Sequence, residues 1–225
     1  MKALITGASR GIGKKIADKL WVAGHEVITV ARTEADIIHD FSKPLSAGKA
    51  SEFPKDIDIL VNNVGGNMGI NDPHVLAGWG EVMELNFWSA VSMSNIVLPH
   101  MINNKWGRVI NTCSTSSVEN NGAVPYCSAK AALAAYTHSM GRVLAPTGVI
   151  MTGLIVGAIA TKGGHWDHQT EEHKAKYLKE RCPLGRFGEE RSVADFVAFL
   201  CTDKADFFQG ALLSIDGGQT RGWQL

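Results

Sequence analysis

The chain has 225 residues, enough for one sizeable core and short for two. Its 22 basic and 22 acidic residues cancel, so no basic excess points to nucleic acid or an anionic membrane surface, and 45% hydrophobic with 20% charged residues is ordinary for a globular protein. No apolar run is long enough to span a bilayer, and the first apolar segment starts too early for a signal peptide. Cys113, Cys127, Cys182 and Cys201 form no C-x-x-C pair and no zinc spacing, so they are expected as reduced thiols in a cytoplasmic protein.

Taken in chain order, strand-like and helix-like runs alternate. Lys2–Thr6 is a short apolar run ending in glycine, and Gly13–Ala23 places Ile16, Leu20 and Ala23 on one helical face. Glu26–Ala31 is β-branched and alternating, and Ile57–Val61 is a buried-strand pattern. Trp79–Asn104 reads as one long helix, or as a helix broken near Pro99. Arg108–Thr112 reads as a strand, Pro125–Ala145 as a helix and Val149–Val156 as a strand. Ser192–Cys201 is a helix and Leu212–Ile215 a last strand. The alternation predicts an α/β fold: a doubly wound, mainly parallel, Rossmann-like sheet in a single domain over residues 1–225. Ligands of such sheets bind outside the carboxyl ends of the strands, so function is expected in the residues just after each strand.

After the first strand stands Gly7-Ala8-Ser9-Arg10-Gly11-Ile12-Gly13. Glycines there let the backbone turn tightly and approach a pyrophosphate, at which the following helix aims its free N–H groups. The spacing is G-x-x-x-G-x-G rather than G-x-G-x-x-G. The second strand should end near the adenosine ribose, about 20 residues on. An acidic residue there would suit NAD; the chain instead has Ala31 and Arg32, with Arg10 expected to reach the same spot. Two guanidiniums suit a 2′-phosphate, which predicts NADP(H).

These residues, with Asn62-Asn63-Val64-Gly65, Asn86, Ser114, Tyr126-Cys127-Ser128-Ala129-Lys130 and Asp216-Gly217-Gly218, resemble the short-chain dehydrogenase/reductases of compact, single-domain type, nearly end to end. The resemblance implies that Asn62, Asn63 and Gly65 stabilise the sheet beside the cofactor. It implies that Asn86 holds a water in a proton relay, that Ser114 polarises the substrate oxygen, and that Tyr126 and Lys130 are the Tyr-x-x-x-Lys pair. Lys130 would also hold the nicotinamide ribose, and Asp40 would meet the adenine amino group. Gly157, Ile159 and Thr161 would lie beside the nicotinamide carboxamide, with Val156 where proline is usual.

Four residues apart on a helix, Tyr126 and Lys130 share a face. A free tyrosine ionises near 10, so a nearby ammonium and the positive nicotinamide ring are expected to favour the phenolate. Tyr126 would then give a proton to a carbonyl oxygen in reduction and take it back in oxidation. The expected activity is hydride transfer between NADP(H) and a small alcohol or carbonyl substrate, with ketone reduction favoured. The alternatives are a cofactor-binding regulatory protein without turnover and a related epimerase.

Only seven residues separate Arg32 from Asp40, where the family fits a whole helix; the shortening is expected to expose apolar sheet surface for a partner subunit to cover. The stretch 162–182, with His165, Trp166, His168, His173 and Tyr177, resembles the family's mobile lid, with Gly163-Gly164 as a hinge. Its histidines, with Glu171 and Glu172, are read as a solvated helix rather than a metal site. Ser116, Glu119, Asn120 and Asn121 either face a polar, sugar-like substrate or form turns. A homodimer or homotetramer is expected through the long helices, with the tail Gln219–Leu225 and its Trp223 joining an interface.

Overall fold

The structure is a computed structural model and describes residues 1–221; Trp223 lies outside the described residues. Among the described residues, nine strands and eight α-helices follow in chain order. They are β1 (Lys2–Thr6), α1 (Gly11–Val22), β2 (Glu26–Ala31), β3 (Ile37–Ile38), α2 (Ala47–Ala50) and β4 (Ile59–Asn62), then α3 (Leu76–Met83), α4 (Ser89–Asn103) and β5 (Gly107–Ser114). There follow α5 (Ser116–Glu119), α6 (Val124–Leu144), β6 (Val149–Val156), β7 (Ile159–Ala160), α7 (Glu171–Arg181), β8 (Gly188–Glu189), α8 (Glu190–Leu200) and β9 (Leu212–Ile215). Seven strands form one parallel sheet in the order β3-β2-β1-β4-β5-β6-β9, while β7 and β8 pair separately. The strand order reverses between β1 and β4, and that switch point opens the crevice in which ligands of doubly wound sheets bind. No helix among the described residues is long and apolar enough to cross a membrane.

Both faces of the sheet are covered, as a parallel sheet requires. Ala3 and Ile5 pack on one face with Ile16 and Leu20 of α1 and Val193 and Val197 of α8. Leu4, between them, points the other way and packs with Met93, Val97 and Met101 of α4. This is the period-two alternation of a strand buried on both sides. The centre holds a polar chain: Asn62 Nδ2 donates to Asn111 Oδ1 at 2.8 Å, and Asn111 Nδ2 donates to Thr137 Oγ1 at 2.9 Å. These buried bonds tie β4 to β5 and β5 to the helix over Thr137, although Asn62 Oδ1 itself has no partner.

Two expectations are corrected. The long helix is not interrupted at Pro99, which lies inside α4. The irregularity is a π-helical turn, Glu84–Trp88, centred on Asn86, and the helix begins at Leu76 rather than Trp79. The Asn86 side chain donates to the Val82 carbonyl four residues back at 2.8 Å, competing with the regular helical N–H for that acceptor.

The connection from β2 to β3 has no helix, as the spacing predicts. Parallel neighbours ordinarily need a long crossover. Here a hook over 32–36 suffices, held by Asp36, which accepts from the Thr29 N–H at 2.9 Å and the Thr29 hydroxyl at 2.7 Å. The apolar surface expected to await a partner subunit is partly covered from within the chain, because Phe41 and Phe53 pack against Val30 and Ile28.

Candidate active site

The loop after β1 turns on Gly7 (φ 69°) and Gly11 (φ 59°), both in the left-handed region. Gly13 leaves no room for a side chain: a Cβ there would lie 2.3 Å from the Gly7 carbonyl oxygen and 2.4 Å from Asn63 Nδ2. The helix α1 thus packs against the loop and against the end of β4. Asn63 locks this arrangement by donating to the Thr6 carbonyl at 3.1 Å and the Gly7 carbonyl at 3.3 Å. Thr6 Oγ1 accepts from the N–H groups of Asn63 and Val64 at 3.0 and 3.1 Å. At the N-terminus of α1 no side chain caps the helix and the first turn holds no acid, so its orphan N–H groups remain available at the crevice. That donor set fits a dinucleotide pyrophosphate.

One cleft lies above the switch point. It brings together Ile12, Asn63 and Gly65 from the β1 and β4 ends, Ser114, Tyr126 and Lys130, and Gly157, Ile159 and Thr161 after β6. His165 and Trp166 from the segment leading into α7 also line it, as do Thr112, Cys113 and Val156. Ser114 ends β5, while Tyr126 and Lys130 lie one turn apart near the start of α6, where Pro125 fits the first turn.

Asn86 does not line this cleft. It is buried, and its amide grips Gly66 from both sides, accepting from the Gly66 N–H at 2.9 Å and donating to the Gly66 carbonyl at 2.8 Å. Its side chain thereby fixes the turn after Asn63. A Cβ on Gly65 would lie 2.8 Å from Asn86 Oδ1 and 2.9 Å from Lys130 Nζ, so only glycine fits between them without a shift.

The electrostatics differ from the sequence expectation. Lys130 Nζ donates to the Thr112 carbonyl at 2.8 Å and sits 5.9 Å from the centre of the Tyr126 ring. Burial pulls the Lys130 ammonium down to about 8. Burial also pushes the half-buried Tyr126 phenol up, and the Ser114 hydroxyl within hydrogen-bonding reach works against that. In the protein alone burial is therefore the leading influence on the phenol and favours its protonated form. Cys113, beside them, is pushed up to about 11 by burial and is a poor nucleophile.

Arg10 Nη1 donates to the Gly163 carbonyl at 2.7 Å, drawn there by an exposed acceptor in a positive-φ turn. Arg32, exposed at the end of β2, stands without it. The Ser42 N–H and, more weakly, Arg32 hold the Asp40 carboxyl below the usual range, and Asp40 Oδ1 accepts from that N–H at 3.0 Å. Ser9 and Arg10 lie at the turn into α1. Val156 is the last residue of β6, paired with Ile215, and its carbonyl accepts from the Thr115 N–H at 3.0 Å. The strand therefore runs on to the position where the family has proline, and Gly157 makes the turn against Asp216.

The segment 162–182 forms a 3-10 turn, His165–His168, and then α7, whose N-cap Thr170 accepts from the His173 N–H. Trp166 is its hub, with ring centres 4.2 Å from Tyr177, 4.9 Å from His165 and 4.9 Å from Phe187. A larger cavity opens at the opposite end of β5 and β6, between Trp106, Arg108 and Asp203. Its arginine already stacks on Trp106 at 4.6 Å and donates to the Gly107 and Thr202 carbonyls, so little of it is left to engage a ligand.

The sheet order and the cleft above its switch point define a Rossmann-type α/β protein. The short chain dehydrogenase family model matches residues 1–49, and the enoyl-(acyl carrier protein) reductase model matches residues 45–220. The 3-oxoacyl-[acyl-carrier-protein] reductase FabG of Aquifex aeolicus (strain VF5) is 35% identical over 96% of each chain. That of Escherichia coli (strain K12) is 31% identical over the same shares. A solved structure from Agrobacterium tumefaciens with bound NADP, described as a 2-deoxy-D-gluconate 3-dehydrogenase, superposes with a TM-score of 0.89 at 30% identity, covering 98% of this chain and 96% of that one. The chain belongs to the short-chain dehydrogenase/reductase family.

Proposed function

We propose that this chain is an NADP(H)-dependent oxidoreductase that reduces a ketone on a small substrate, with Tyr126 as the acid/base. The convergence of Ser114, Tyr126 and Lys130 on one cleft with the glycine loop and the turn after β6 carries this reading. The relatives support it: the similar reductases are named for reduction of a 3-oxoacyl group, and the similar Agrobacterium tumefaciens structure for a 3-dehydrogenase of a sugar acid, with NADP bound. Both concern a carbon three positions along an acyl or acid chain, and a 3-oxo acid derivative is the substrate class we favour.

NADP(H), when bound, would supply the hydride. Ser9, Gly11, Ile12 and Gly13 would hold its pyrophosphate by backbone N–H groups, in the turn that Gly7 shapes while its own N–H donates to the Val30 carbonyl at 2.7 Å, and Arg32 would take the 2′-phosphate. Asp40 would face the adenine; Asn63 and Gly65 would border the ribose and nicotinamide. Gly157, Ile159 and Thr161 would face the carboxamide. Lys130 would hold the ribose hydroxyls and keep positive charge below the phenol. Ser114 donates a hydrogen bond to the substrate oxygen and holds it near Tyr126, which delivers its proton as that oxygen becomes an alkoxide. Asn86 acts through Gly66 and through the π turn. On this reading residues 1–225 act as one catalytic domain with 162–182 as its lid. Its place is the cytoplasm, and it works as a homodimer or homotetramer joined through the faces carrying Trp88, Val124 and Val143, which are exposed in the single chain.

Ser114→Ala is expected to lower kcat by a factor of order 10², measured as NADPH oxidation with a panel of 3-oxoacyl thioesters and keto acids. A near-normal rate would remove Ser114 from the chemistry. Arg32→Asp is expected to weaken NADPH about tenfold or more while leaving NADH nearly unchanged, because a charge-assisted phosphate contact becomes a repulsion. Tryptophan-fluorescence titration with each nucleotide measures this, and an unchanged NADPH/NADH ratio refutes the phosphate contact. Tight binding without turnover of any carbonyl would instead favour a regulatory protein.

A further inference from the structure

The turn after β9 carries a side chain that touches two walls of the cleft. Gln219 is buried, with its oxygen and nitrogen both engaged. Its Oε1 accepts from the Ala158 N–H at 3.0 Å and from the Tyr177 hydroxyl at 3.3 Å, while Nε2 donates to Cys182 Sγ at 3.4 Å. Ala158 lies between Gly157 and Ile159 on the cofactor side, and its carbonyl accepts from the Gly188 N–H at 2.9 Å, so both ends of its polar backbone are held. Tyr177 is on α7, and its ring packs on Trp166, which lines the cleft. The backbone around Gln219 is itself fixed: Asp216 accepts from the Gly218 and Thr220 N–H groups at 2.9 and 2.8 Å. One turn further, the Arg221 N–H donates to Glu119 at 2.7 Å, on the helix that follows Ser114.

We propose that Gln219 is a positioning residue that couples the 162–182 lid to the backbone at 157–159, so that the aromatic roof is seated only when that segment holds its cofactor-binding conformation. The inference rests on the reductase reading of the cleft. The physical link is the shared acceptor: one oxygen serves a buried backbone N–H on the cofactor side and a lid hydroxyl. Moving either donor strands the other or drags it along. Glutamine alone suits the position, because the same side chain must accept twice and donate once; methionine fills similar space with none of these contacts.

The test compares the wild type with Gln219→Met, Tyr177→Phe and the double variant. Trypsin reads the lid through its exposed Lys162, Lys176 and Lys179. In Gln219→Met, cleavage within 162–181 is expected to rise about tenfold in the free protein, and protection by saturating NADPH to fall by a similar factor. The KM for the carbonyl substrate should rise several-fold more than kcat falls, a split that simple loss of folded protein does not produce. Tyr177→Phe should move the same readouts in the same direction by less, and add little to Gln219→Met, because both remove one coupled contact. Wild-type cleavage and protection in Gln219→Met, or strictly additive effects, would overturn the coupling. Should Gln219→Met fail to fold, Tyr177→Phe decides alone: wild-type lid cleavage and KM overturn it. Failure of the wild type to bind NADPH would sink the reductase reading, and the coupling with it. Normal NADPH binding with an unaltered lid would sink the coupling alone.

Discussion

Tyr126→Phe is expected to lower kcat by about 10³ or more while leaving NADPH affinity within a few-fold of wild type. The substitution deletes one hydroxyl and keeps the ring that packs at the start of α6. Lys130 loses nothing directly, because its Nζ is bonded to the Thr112 carbonyl and not to the phenol. What disappears is the hydroxyl placed beside Ser114 to deliver a proton to a developing alkoxide. General acid–base catalysis contributes about 10² to 10⁴, and loss of the positioning bond with Ser114 adds to it. Single-turnover NADPH oxidation and a fluorescence titration separate the two effects. Substantial residual turnover with any good substrate would remove Tyr126 from the acid/base role. A parallel loss of NADPH binding would mean that the phenol is a structural support.

Lys130→Met is expected to abolish measurable turnover and yet stabilise the folded chain. The fall of the lysine from 10.5 to about 8 is the cost of burying its charge, about 3 kcal/mol at neutral pH. Methionine removes that cost and leaves the Thr112 carbonyl without its donor, which returns about 1 kcal/mol. The net gain should appear as a rise of several degrees in Tm at pH 7. The sign can be checked against pH. Between about 8 and 10.5 the unfolded lysine holds a proton that the folded one has lost, so wild-type stability from this group rises with pH across that window. The advantage of Lys130→Met should therefore shrink from pH 7 toward pH 10. A variant less stable than wild type at pH 7, or an advantage that does not change with pH, would contradict the burial argument. The lysine would then be a case of stability given up for a charge held where the chemistry needs it.

Much of this was legible in the chain itself. The strands Lys2–Thr6, Glu26–Ala31, Val149–Val156 and Leu212–Ile215 are found at their expected bounds, because short apolar runs set off by glycines have few other uses. The shortened link after Arg32 was also plain, since seven residues cannot hold a helix and two turns. The pairing of Tyr126 with Lys130 follows from helical spacing alone. The two-residue strands β3, β7 and β8 escaped notice, because two residues carry no periodicity. One unbroken helix and a helix broken near Pro99 both fit the spacing; Pro99 lies inside α4, and the π turn arises where Asn86 reaches back to Val82 and across to Gly66.

Local spacing by itself determined the alternation of elements, the glycine turn into α1 and the four-residue step from Tyr126 to Lys130, since each depends on neighbours within one or two turns. Contacts between distant residues lay beyond it. Arg10 was expected at the ribose and is held by Gly163, 153 residues away. Gln219, expected in a tail at an interface, turns inward to Ala158, 61 residues away. Tyr126 was expected to be eased toward ionisation by its lysine together with the positive nicotinamide ring; in the chain alone burial leads and raises it. Partners and desolvation are properties of the folded volume around a group, and only the tertiary structure supplies that volume.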